Sequence, residues 1–159
     1  MIYQHLAVAI DDSRTSFLAL EHAIRLAKIT QGRLILITVV SPAEFIALSP
    51  EIIPYENYKL AAEAEGKKLL EKATHFIQKA GLQKIDQEII ITSQSPSAMA
   101  SKLLHRAEAL GAQILVLGTH GRTGLKHLLV GSFAETVMRQ AKLPLLILPS
   151  KLDKQDNKD

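Results

Sequence analysis

Apolar residues along this chain fall into five short runs, separated by longer stretches with a three-to-four-residue period. The runs are HLAVAI (5–10), RLILITVV (33–40), EIIIT (88–92), QILVLG (113–118) and PLLILP (144–149). Most show no polar alternation, which fits strands buried on both faces of a parallel sheet. The stretches between them read as helices. Phe17, Leu20, Ile24 and Ala27 fall on one helical face, with Asp12, Ser13 or Ser16 as the cap and Gly32 as the stop. A second helix is expected from Asn57 to Ala80, stopped by Gly81, with Ala62, Gly66, Leu69, Ala73, Phe76 and Ala80 as its apolar stripe. Glu63 and Lys67 form an i,i+4 pair on its outer side.

The segment 41–56 carries Pro42, Pro50 and Pro54 and reads as a long irregular loop or lid. Ser95 followed by Pro96 marks the start of a third helix, lined by Ala100, Leu103, Ala107 and Leu110 and stopped by Gly111. A fourth begins near Ser132 and carries Phe133, Val137 and Ala141. The order is therefore β-α-β-α-β-α-β-α-β, a doubly wound α/β fold on a five-stranded parallel sheet. Residues 1–149 are expected to form one domain, and the polar segment 150–159 a disordered tail. In such sheets ligands bind beyond the carboxyl ends of the strands, where the strand order reverses.

Composition narrows the function. The 159 residues are 47% hydrophobic, enough for one core without staples. There is no cysteine, so disulfides and thiolate metal sites are excluded. A net charge of +3 and 4% aromatic residues leave neither a basic footprint nor a stacking platform for nucleic acid. No apolar run is long enough to span a membrane, and MIYQHLAVAIDDS lacks the charged start of a signal peptide, so a cytoplasmic protein is expected.

The candidate chemistry lies at the strand ends. Asp11 follows the first strand, and Val39 ends the second. The fourth strand runs into GTHGRTGLKHLLVGS (118–132), with glycine at four of fifteen positions. Such a turn approaches a phosphate, approaches a partner chain, or only shapes the next turn. Neither G-x-x-x-x-G-K-[ST] nor G-x-G-x-x-G occurs. The six histidines form no H-E-x-x-H, and no serine sits in G-x-S-x-G. Gly131-Ser132, however, opens a helix, where backbone N–H groups and the dipole favour an anion.

Gly118-x2-Gly121-x9-Gly131-Ser132 resembles the nucleotide-binding signature of universal stress proteins of the UspA family. The likeness extends over roughly residues 3–149 and is densest in GAQILVLGTHGRTGLKHLLVGSFAETVMRQAKLPLLILP (111–149). The resemblance implies a sheet ordered 3-2-1-4-5 and a homodimer through the last strand (144–148). It also implies ATP, AMP or ADP where the first and fourth strands meet, with Mg²⁺ carried by the phosphates. In that scheme Asp11 holds the ribose and the backbone at Val39 reads the adenine edge. Gly118, Gly121, Gly131 and Ser132 hold ribose and phosphates, and Arg122 adds charge inside the loop. The chain departs from the family pattern at Ser95, often Gly, and at Gln113, often Asp; neither touches the motif.

The role implied is that of a dimeric stress sensor or regulator. No general base, arginine finger or metal cage is evident, so any ATP hydrolysis should be slow. An interaction module of the same fold without nucleotide is the second reading. A nucleotidyl transferase would carry an S-G-G-x-D-S-type loop where this chain reads DDSRTS (11–16).

Overall fold

The computed structural model describes residues 2–48, 53–119 and 131–150. Its elements run β1 (His5–Ala9), α1 (Arg14–Thr30), β2 (Arg33–Val40), α2 (Pro42–Leu48), α3 (Tyr55–Lys79), β3 (Ile85–Ile91), α4 (Pro96–Ala109), β4 (Ile114–Gly118), α5 (Ser132–Gln140) and β5 (Leu145–Leu148). All strands pair in parallel, in the order β3-β2-β1-β4-β5. The sheet is the five-stranded doubly wound sheet expected from the sequence.

Strand alternation sorts the core into two layers. Leu6, Val8, Leu34, Leu36, Ile114 and Val116 pack under α1 and α3. Ala7, Ile35, Ile37, Leu115 and Leu117 face α4 and α5. The chain leaves β1 for β2 on one side and later returns to place β4 on the other. The reversal opens a crevice beyond the carboxyl ends of β1 and β4, where the next helices diverge to opposite faces.

Several local details differ from the sequence expectation. The segment after β2 is not a long irregular loop: Pro42–Leu48 form α2. Pro42 sits in the first turn, where its missing N–H is no loss, and the Glu44 N–H donates to the Ser41 carbonyl at 3.1 Å. α3 begins at Tyr55, two residues before Asn57, behind Pro54 at the cap position. Its buried stripe uses Ile77 in place of Phe76. Phe76 meets Phe17 edge-on instead, with ring centroids 6.2 Å apart.

β3 starts at Ile85, because an edge strand tolerates the exposed Asp86 and Gln87 that broke the apolar run. Gly32 is not the left-handed stop of α1; Gln31 takes that conformation, with φ 55°. Gly32 is small for another reason: a Cβ there would lie 2.7 Å from the Gln4 carbonyl oxygen. The carboxamide of Gln113 accepts from the backbone N–H of Gln4 at 2.7 Å and of His5 at 3.3 Å. It therefore ties the start of β1 to β4.

Candidate functional site

The turn from β1 into α1 is a closed hydrogen-bond network. The Ser13 hydroxyl caps α1, accepting from the Ser16 N–H at 3.2 Å. The Ser16 hydroxyl donates to the Asp11 carbonyl at 2.6 Å and accepts from the Asp11 N–H at 3.1 Å. Asp11 Oδ1 accepts from the Ser13 N–H at 2.8 Å. This fixes the carboxylate at the strand end, while its Oδ2 makes no hydrogen bond among the described residues. Ser13, not Asp12 or Ser16, is the cap. On the outer side, Asp12 accepts from Lys72 of α3 at 2.9 Å, and Lys72 Nζ lies 4.8 Å from the centre of the Phe17 ring.

β4 ends against this turn. A Cβ on Gly118 would lie 2.6 Å from Thr15 Cγ2 and 3.0 Å from the Thr15 backbone carbon. Glycine here lets the first turn of α1 press onto the strand end. Beyond it, the Thr119 N–H continues the ladder to the Leu148 carbonyl, and the Gly131 N–H donates to the Thr119 carbonyl at 2.6 Å. Gly131 is extended, with φ −70° and ψ 155°, so it needs no left-handed conformation. It stands at the N-cap of α5 with no side-chain cap, unlike the serine caps of α1 and α4. The first-turn amides of α5, from Ser132 onward, therefore start at the end of β4 beside Thr119.

These parts border one cavity of about 430 Å³, within the range of small-molecule sites. On the α4 side its wall is apolar: Ile37, Val39, Met99, Leu103, Leu117 and Phe133. On the α3 side it is polar: Asp11, Ser16, Thr38, Ser41, Glu44 and Glu65, with Leu69 and Phe45 between them. Among the described residues, no Lys, Arg or His borders it, and no cluster of three or more His, Asp or Glu could hold a metal.

Five of the seven candidate residues from the sequence line this cavity: Asp11, Val39, Gly118, Gly131 and Ser132. Gly121 and Arg122 lie outside the described residues. Sequence reasoning missed Thr38, Ser16 and the α4 wall of Met99 and Leu103. Thr38 could have been found as the one polar residue within LILITVV (34–40). Met99 and Leu103 could have been found as an i,i+4 pair starting one turn after the Ser95 cap. No helix among the described residues is long and apolar enough to cross a membrane.

Comparison with known proteins agrees with this architecture. Residues 2–149 match the model of the universal stress protein family. The universal stress protein MJ0531 of Methanocaldococcus jannaschii is 30% identical over 150 residues, covering 92% of this chain and 82% of that protein. The solved structure of MJ0577, from the same organism, superposes with a TM-score of 0.76 at 24% identity, covering 93% of this chain and 96% of that one. A universal stress protein of Archaeoglobus fulgidus, solved in complex with dAMP, gives a TM-score of 0.63 at 20% identity, covering 93% and 99%. With the family model spanning nearly the whole chain on a matching fold, this protein belongs to the universal stress protein family.

Proposed function

We propose that this protein binds an adenine nucleotide, ATP or its products AMP and ADP, and acts as a dimeric sensor or regulator in a stress response. The observation that carries the reading is the convergence, in one cavity, of a fixed carboxylate at Asp11 and a helix opened by Gly131-Ser132. A carboxylate suits the hydroxyls of a ribose through charge-assisted hydrogen bonds. A helix start without a side-chain cap suits phosphate oxygens. Between them, the apolar wall of Val39, Leu117 and Phe133 accommodates a base, with the backbone at Val39 on its edge. Gly118 borders the cavity, and the glycine signature adds Gly121 and Arg122 to the proposed nucleotide-binding residues. Any Mg²⁺ enters on the phosphates. The dAMP held by the A. fulgidus relative supports a nucleotide of this class.

The unit is a single domain of residues 1–149 with a polar tail of 150–159, in the cytoplasm. β5 is an edge strand, and three of its four residues, Leu145, Leu146 and Ile147, remain half-buried. A second copy pairing along this strand would cover them. The second reading, an interaction module without nucleotide, draws on Gly118, whose lack of a side chain is already explained by Thr15.

Gly131→Val combined with Ser132→Ala separates the two. Under the nucleotide reading, saturating ATP raises the wild-type melting temperature, the double variant loses that shift, and both remain dimers. If ATP shifts neither protein and the variant fails to dimerise, the interaction module is correct.

A further inference from the structure

Thr38 sits at the carboxyl end of β2, with the side chain on the same face as Leu34 and Leu36, under α3. It pairs with Ile89 of β3 and is 1% exposed. Among the described residues its buried hydroxyl has no hydrogen-bond partner, yet the residue borders the cavity. A buried hydroxyl left unpaired weakens a fold, and valine has the same shape and suits a strand equally well. The fold therefore gains nothing from this oxygen, so its use lies with whatever the cavity admits.

The lobe of the cavity between β2 and α3 limits what that is. Its charged groups among the described residues are Asp11, Glu44 and Glu65, all carboxylates. An anion is repelled there, so the phosphates stay at α5 and a hydrogen-bond donor is favoured. We propose that Thr38 is a specificity-determining residue, whose hydroxyl accepts a hydrogen bond from an O–H or N–H of the bound nucleotide. The donor is a ribose hydroxyl or the amino group of the base. This inference rests on the nucleotide reading above.

The test measures affinities of wild type, Thr38→Val and Thr38→Ser for ATP, 2′,3′-dideoxy-ATP and inosine triphosphate by calorimetry, with melting temperatures of the ligand-free proteins. Thr38→Val should weaken ATP about three- to tenfold, the range of one net hydrogen bond. The loss should vanish with the dideoxy analogue if the donor is a ribose hydroxyl, or with inosine triphosphate if it is the amino group. Thr38→Ser should bind ATP like wild type. Ligand-free Thr38→Val should melt about 2–4 °C higher, because the orphaned oxygen is gone.

Thr38→Val binding ATP as tightly as wild type overturns the proposal. So does an equal loss for all three nucleotides, or a ligand-free variant that melts lower than wild type. If wild type itself binds no adenine nucleotide, the nucleotide reading has failed, and this inference fails with it.

Discussion

Gly118→Ala tests how the site is built. The added methyl would sit 2.6 Å from Thr15 Cγ2 and 3.0 Å from the Thr15 backbone carbon, whereas carbon atoms pack at about 3.5–4.0 Å. The overlap approaches 1 Å against the Thr15 methyl and is about 0.5 Å against its backbone carbon, in the first turn of a helix. Thr15 is itself buried between α1 and β4, so rotation alone does not clear the clash. Overpacking of this kind costs about 1–3 kcal/mol. For a chain of this length that is a fall of about 2–12 °C in melting temperature.

Relief moves α1 outward and drags the Ser13–Ser16 network with it, displacing Asp11. Affinity for ATP should therefore fall together with stability. Thr15→Ser removes the methyl at 2.6 Å and keeps the hydroxyl, so the double variant should recover part of the lost stability. Thermal and urea denaturation of the four proteins of the cycle measure this. A Gly118→Ala protein as stable as wild type, or a double variant no better than Gly118→Ala alone, refutes the packing argument.

Adjacent positions after α1 should respond in opposite directions. Gln31→Gly should stabilise by about 0.5–1 kcal/mol, because Gln31 holds φ 55°, while Gly32→Ala should destabilise, because its Cβ would strike the Gln4 carbonyl at 2.7 Å; urea midpoints of the two single variants decide it. Ser13→Ala removes the α1 cap and should cost about 1 kcal/mol by thermal denaturation, with weaker ATP binding as the Asp11 turn loosens. Lys72→Met should change stability by less than about 1 kcal/mol, since the pair with Asp12 is exposed, and its small effect should shrink further in high salt.

The sheet was legible because buried parallel strands write themselves as aliphatic runs, and β1, β2, β4 and β5 follow those runs within a residue. β3 was less so, because at the edge its first residues need not be apolar. α2 was hidden by the three prolines of the segment 41–56, which read as breakers although Pro42 opens a helix. The glycines were visible as a pattern, but their separate reasons were not. Gly118 and Gly32 are set by contacts with Thr15 and Gln4, which are distant in sequence from them. Gln31 took the left-handed position expected of its neighbour. In the cavity, strand ends were predictable from topology. The walls supplied by α3 and α4 depend on helix placement, which no local pattern encodes. Thr38 carried a signal, one polar residue in an aliphatic run, whose meaning needed the strand's facing to interpret.

The central claim is that Asp11 and the Gly131-Ser132 helix start frame an adenine-nucleotide site. Equilibrium dialysis of the wild-type protein against labelled ATP with Mg²⁺ tests it most directly. The account predicts saturable binding at one site per chain, competed by unlabelled AMP or ADP. No retained ATP at millimolar nucleotide would contradict it.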